Sequence, residues 1–206
     1  MKNENELKVN KLLKHRLVCG VGYNDGKYRV KIKGKNTKEY DLWSKMIYRC
    51  YYDKTHEVNK RYKDCTISEN FKSYSYFYEW CQNQIGFNKK GFELDKDLCF
   101  KWNKIYSEDT CFFIPKELNI CLSGCTKTKG DYPTGVSKRK SGRYVAHAMI
   151  NGKSKSISYH DSIEDAFYAY KKEKEAEIKR LAVKYKDEID ERIFNSIYNY
   201  SIEIDD

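Results

Sequence analysis

Apolar side chains at Leu42, Trp43, Met46, Ile47, Cys50 and Tyr51 recur every three or four residues, so residues 39–52 are predicted to form a helix with one buried face. Residues 70–85 repeat the signal with Phe71, Tyr74, Phe77, Tyr78 and Cys81. An aromatic stripe at helical spacing points to core packing ahead of base stacking. Residues 17–34 read as two short strands around Asn24-Asp25-Gly26, a turn signal that favours hairpins. Between 92 and 118 two apolar patches flank the polar loop at 101–110, and Pro115-Lys-Glu-Leu-Asn119 begins a short helix. The texture changes after residue 127. Three short strands fill 135–160, the second and third joined by an Asn151-Gly152 turn. Ser162-Ile-Glu-Asp165 is a capping box that opens a helix burying Ala166, Phe167, Tyr170, Ile178, Leu181 and Ala182. A last helix over 187–199 presents Ile189, Ile193 and Ile197. The elements predict an α+β chain in two parts, 1–126 and 127–206, with no internal repeat.

Composition narrows the partners. The chain has 206 residues, enough to bury a core, and its 40 Lys and Arg exceed 30 Asp and Glu by ten. An excess of that sign favours polyanions, either nucleic acid or a membrane surface. No run approaches the roughly 18 apolar residues of a membrane span, and the mean hydropathy is −0.88, so no membrane association is expected. The segment MKNENELKVNKLLKHR shows none of the apolar stretch of a signal peptide. Disorder is not expected either, because 40% hydrophobic and 15% aromatic residues can build an interior. Nothing in the pattern suggests a small-molecule substrate, and it identifies no protein partner.

Eight cysteines raise disulfides and zinc, and the spacing favours neither. Only Cys121 and Cys125 are close, and no second pair or Cys/His knuckle completes a four-ligand site. Cys50, Cys65, Cys81, Cys99 and Cys111 lie in apolar patterns, where free thiols pack as small hydrophobes. A reducing, cytoplasmic setting is the matching expectation.

The stretch 135–160 carries Lys138, Arg139, Lys140, Arg143, Lys153 and Lys155 and no acid. Alternation on the second strand puts Tyr144, Ala146 and Ala148 on one side and Arg143, Val145, His147 and Met149 on the other. Small alanines suit close packing on a helix, which leaves the opposite row, with Arg139, facing outward. A sheet face of this kind can enter a DNA groove, where phosphates position the protein and side chains read base edges.

The string Gly135-Val-Ser-Lys-Arg, Gly142-Arg-Tyr-Val-Ala, Ile150-Asn-Gly-Lys and Asp161-Ser-Ile-Glu-Asp-Ala-Phe-Tyr-Ala-Tyr resembles the APETALA-type DNA-binding domain of plant ethylene-response factors, also found in phage homing endonucleases. The resemblance implies that the sheet contacts double-stranded DNA, with a base-facing row of Ser137, Arg139, His147, Met149, Ser154 and Ser156. Several reading positions that are Arg or Trp in that family are Ser, His or Met here, so the family's target sequence does not carry over.

The earlier segments Trp43-Ser-Lys-Met-Ile-Tyr-Arg-Cys-Tyr51, Gly91-Phe-Glu-Leu-Asp-Lys-Asp97 and Asn103-Lys-Ile-Tyr-Ser-Glu-Asp-Thr-Cys-Phe-Phe-Ile-Pro-Lys-Glu-Leu-Asn119 are similar to phage HNH homing endonucleases. Such a ββα-metal site needs a histidine base at the end of its first strand, an adjacent Asp, a loop Asn and a His or Asn from the helix. The resemblance implies Asp95 and Asn119 as ligands of Mg2+ or Mn2+, with Asn103 as the loop residue. Lys96 occupies the position of the base. Lysine, with an ordinary pKa near 10.4, is a poor base at neutral pH, and flanking carboxylates favour its charged form. Besides the metal site stands a plainer reading of Asp95, Lys96 and Asp97 as a surface turn held by local ion pairs.

Three functions follow. The first is a phage or mobile-element DNA-binding protein with a degenerate nuclease centre, needing no metal and working in the bacterial host cytoplasm. The second is an active Mg- or Mn-dependent endonuclease or nickase. The third is an RNA- or single-strand-binding module using the Tyr-rich segment 74–80. The charge is unevenly placed, with 8 basic and 13 acidic side chains in 161–206 and an excess of cations before them. The C-terminal helices are therefore expected to support the sheet from behind.

Overall fold

The computed structural model describes residues 17–98, 102–123 and 131–205. In chain order its elements are β1 (Lys31–Ile32), β2 (Lys35–Asn36), α1 (Lys38–Tyr51), α2 (Asp53–Val58), β3 (Thr66–Ile67), α3 (Tyr74–Gln82), β4 (Phe92–Asp95), β5 (Ile105–Tyr106), β6 (Phe112–Pro115), α4 (Lys116–Ser123), β7 (Val136–Lys138), β8 (Tyr144–Ile150), β9 (Lys153–His160), α5 (Ile163–Lys184) and α6 (Glu191–Tyr198). Short 3-10 turns precede α3 and α6. The fold is α+β with small sheets: β1–β2, β3–β5, β4–β6 and β7–β8–β9. Among the described residues no helix is long and apolar enough to cross a membrane.

The chain packs as two units. One runs to Phe87 and takes up again through Phe112; the other holds the segment from Asn88 and continues from Phe113 to the C-terminus. This partition differs from a single break near residue 127, which itself lies outside the described residues.

The first unit is built on the two periodic segments. Thr37 caps α1, its hydroxyl accepting from the Tyr40 N–H at 3.3 Å. The helix buries Trp43, Met46, Ile47 and Cys50. The aromatic stripe is core, with Phe71, Tyr74 and Phe77 fully buried and Phe71 edge-on to Phe77 at 5.1 Å. The buried Trp43 indole satisfies its one donor on the Phe71 carbonyl at 2.8 Å. Tyr76, on the exposed side, donates to Glu108 at 3.3 Å. Most of the Tyr-rich segment is therefore core, with Tyr76 left 39% exposed.

The hairpin in this unit is not where the sequence places it. Asn24 and Asp25 turn their carboxyl and amide oxygens onto their own backbone, accepting from Gly26 N and Lys27 N at 3.0 Å each. Asp25 also takes the Ser75 hydroxyl. Side-chain oxygens that capture local N–H groups compete with a strand ladder. The hairpin closes instead at Lys33-Gly34, between β1 and β2, where both residues have the positive φ of a type I′ turn (48° and 79°).

In the second unit the predicted three-stranded sheet forms with antiparallel neighbours throughout. The β8–β9 turn falls at Asn151-Gly152, with φ of 53° and 71°. Its Asn151 N–H donates to Glu177 of α5 at 2.8 Å, and the same carboxylate receives Arg180 at 2.7 and 2.8 Å. Ser162 caps α5 as expected, accepting from the Asp165 N–H at 3.1 Å while its hydroxyl reaches the Asp165 carboxylate at 2.7 Å. The helix packs on the sheet through Ala166, Phe167 and Tyr170, all buried. The expected last helix is shorter than 187–199, spanning Glu191–Tyr198, with Ile189, Ile193 and Ile197 buried. Among the described cysteines, Cys50, Cys65, Cys81, Cys111 and Cys121 are buried; Cys99 and Cys125 lie outside the described residues.

Candidate nucleic-acid interface

Strand pairing assigns the two faces of the sheet. Residues directly opposite across a ladder share a face. Ser137 stands opposite Val145, His147 opposite Ser156, and Met149 opposite Ser154. The register shifts between Ala146 and His147, where Ile157 is the extra residue of a bulge in β9. Val145 is buried although it shares this face, whereas Met149 is 43% exposed and Ser154 and Ser156 are open to solvent. Ala146 and Ala148 lie on the opposite side, the buried one that α5 covers.

One row runs across all three strands at the centre of the exposed face. The Ser137 hydroxyl lies 2.8 Å from His147 Nε2, and the Ser156 hydroxyl 3.4 Å from Nδ1. A neutral imidazole offers one donor and one acceptor, which two rotatable hydroxyls can satisfy together. Burial, with the Arg139 charge adding to it, holds the His147 pKa below the ordinary histidine value. His147 is therefore neutral at pH 7, and the charge on this part of the face is that of Arg139.

A depressed histidine fixes the sign of a pH effect. The unfolded chain takes up the proton first as pH falls below the ordinary value of about 6.5, so the stability linked to His147 is present above that pH and lost as pH falls through the folded value. Denaturant unfolding between pH 7.5 and 5 is expected to show a steeper loss of stability in the wild type than in His147→Gln. Parallel pH profiles would contradict the assignment.

The cations expected on the interface do not share one surface. Arg139, exposed just past β7, belongs with Ser137, and Lys140 sits in the exposed turn that follows. Arg143 is tethered, its Nε to Asp161 at 3.1 Å and its Nη2 to the Tyr159 carbonyl at 3.0 Å. Lys138, Lys153 and Lys155 stand opposite Tyr144, Ile150 and Ala148, so they alternate to the other side. All three are exposed. The exposed row beside Val145 is left to Ser137, Arg139, His147, Met149, Ser154 and Ser156. Tyr159, 51% exposed opposite Val145, joins this face and was missed by counting charges.

The strand–helix element of the nuclease-like motif lies in the same unit. β4 pairs with β6, the Lys116 N–H closes the end of the pair on the Gly91 carbonyl at 2.8 Å, and α4 packs back on β4. Asp95 ends β4, and its Oδ1 accepts from Asp97 N and Leu98 N at 3.0 Å each, an arrangement that caps the following turn. Burial, reinforced by the neighbouring Asp97 charge, pushes the Asp95 carboxyl above the ordinary aspartate range. Lys96 is buried and paired with the Asp97 carboxylate. Asn119 on α4 donates to Glu93 at 3.2 Å, and Lys116 approaches the same carboxylate at 3.8 Å. Alternation puts Glu93 on the face of β4 that also carries Asp95, a signal present in the sequence but unused.

Asn103 belongs to the other unit, where its amide bonds both the N–H and the carbonyl of Ile105, at 3.1 and 2.7 Å. Among the described residues no group of three His, Cys, Asp or Glu is placed to hold a metal ion. Asp95 Oδ1 is thus turned to backbone N–H groups and the Asn119 amide to Glu93. No protein-family model, no curated protein and no solved structure matches this chain.

Proposed function

We propose that this chain is a phage or mobile-element protein that binds double-stranded DNA through the exposed face of β7–β8–β9, built like an HNH homing endonuclease whose nuclease centre is degenerate. The observation that carries the reading is the face itself. A row of short hydrogen-bonding side chains crosses three strands beside the exposed Arg139 and Met149, and the remaining cations of 135–160, a stretch with no acid, lie around it rather than on it. Phosphate contacts supply affinity and small polar side chains reach base edges. The buried, ion-paired Lys96 at the position of the base supports degeneracy.

A second reading, an active Mg- or Mn-dependent nickase, is favoured by one detail. An asparagine at position 95 would offer the same capping oxygen, so the turn alone does not call for a carboxyl there. The two readings part on supercoiled DNA incubated with Mg2+ or Mn2+. On the first, DNA is retarded and stays supercoiled, and Asp95→Asn unfolds no earlier than wild type because it keeps the cap. Asp95→Ala loses about 1 kcal/mol of stability. Nicking by the wild type that disappears in Asp95→Asn, with binding intact, would establish the second.

A further inference from the structure

We infer that Trp102 is a base-stacking residue, the centre of a second nucleic-acid surface that takes unpaired DNA bases, separate from the sheet and built on the first unit. Trp102 is 69% exposed, in contrast to Trp43 and Trp80, which are buried at 0% and 9%. Its backbone is left-handed, with φ of 67°. That conformation is costly for a bulky side chain and clusters at functional positions. An indole held in water by a strained backbone forgoes burial, so a packing role does not explain it.

The surroundings indicate what the indole meets. The parallel pairing of β3 with β5 brings residues 61–66 alongside 104–105, with the Thr66 N–H on the Lys104 carbonyl at 2.8 Å. Lys104 Nζ fastens the junction by donating to the carbonyls of Arg61 at 3.1 Å and Lys63 at 3.4 Å. The side chains of Lys60, Arg61 and Lys63 are left on the exposed surface of this segment. In 60–66 and 102–105 there are four cations and one acid, Asp64. Ile105, 47% exposed, extends the apolar surface. An exposed indole two residues from a locked cationic segment has the elements of a single-strand platform, an aromatic face for the base and ammonium or guanidinium groups for the phosphates. Duplex DNA keeps its bases stacked, so the occupant is unpaired or unstacked DNA. The inference rests on nucleic acid being the partner, as in the proposal above, but on none of the same residues.

Trp102 is its own reporter. Titrating the full chain with oligothymidylate is expected to quench the long-wavelength tryptophan emission of the exposed indole, and Trp102→Phe should abolish that signal. Trp102→Ala is expected to weaken oligothymidylate binding about tenfold. A Lys60→Glu/Lys63→Glu variant should weaken it further and lose affinity with salt less steeply than wild type. Wild-type binding without quenching, no binding of oligothymidylate, or unchanged affinity in Trp102→Ala would each overturn the assignment. Arg139→Ala separates the two surfaces: it is expected to leave the oligothymidylate signal intact, and its effect on duplex affinity bears on the sheet alone.

Discussion

Gly135→Ala is expected to lower the stability of the sheet-bearing unit by about 3 kcal/mol, the sum of a left-handed backbone and an overpacked contact. Gly135 has φ of 80°, and a Cβ built on it would stand 2.2 Å from two ring atoms of Tyr170. Neither the ring nor the strand can yield easily. Tyr170 is buried on α5, and the Gly135 carbonyl accepts from the His147 N–H at 2.7 Å beside the bulge that sets the central row. Gly142 supplies the control, with φ of 90° and nothing within 4 Å of an added Cβ. Gly142→Ala is expected to cost only the backbone part, about 1 kcal/mol. Scanning calorimetry of the two variants checks the difference; equal shifts in Tm would mean that the Tyr170 contact does not hold the sheet in place. Because the same peptide positions His147, the Gly135 variant should also lose duplex affinity below its Tm.

Arg139→Ala is expected to reduce duplex affinity about tenfold at moderate salt and to lower the salt slope by about one phosphate equivalent. Arg139 is exposed, sits beside Ser137 and is near enough to His147 to depress its pKa. Arg143 makes the contrast. Its guanidinium already serves the Tyr159 carbonyl and Asp161, so Arg143→Ala should act mainly by loosening the end of β9, with a smaller change in slope. Fluorescence-anisotropy titrations of a labelled duplex at several salt concentrations read both quantities. Equal slopes for wild type and Arg139→Ala would remove that residue from the phosphate contacts.

Much of the fold was legible because its signals are local. Helical spacing located α1 to within a residue at each end, and alternation with an Asn-Gly turn located β8 and β9. What failed depends on partners distant in sequence. Asn24-Asp25-Gly26 reads as a hairpin until Ser75, fifty residues on, claims the Asp25 carboxylate. The loop Asn and the helix Asn of the nuclease-like motif are each spent, Asn103 on Ile105 and Asn119 on Glu93, and only packing reveals the second. On the sheet, charge counting gathered Lys138, Lys153 and Lys155 into the interface, whereas the two-residue period already separates them from Ser154 and Ser156. Trp102 had no pattern to betray it. It sits in a polar loop, and its exposure and left-handed backbone are properties of the folded chain.

Whether the exposed face of β7–β8–β9 meets duplex DNA can be read from amide and imidazole chemical shifts of the full chain, recorded while a duplex is added. The shifts are expected to concentrate on Ser137, Arg139, the His147 ring, Met149, Ser154 and Ser156, with the far side of α5 unmoved. Duplex binding that leaves the His147 ring and its serine partners unperturbed would contradict it.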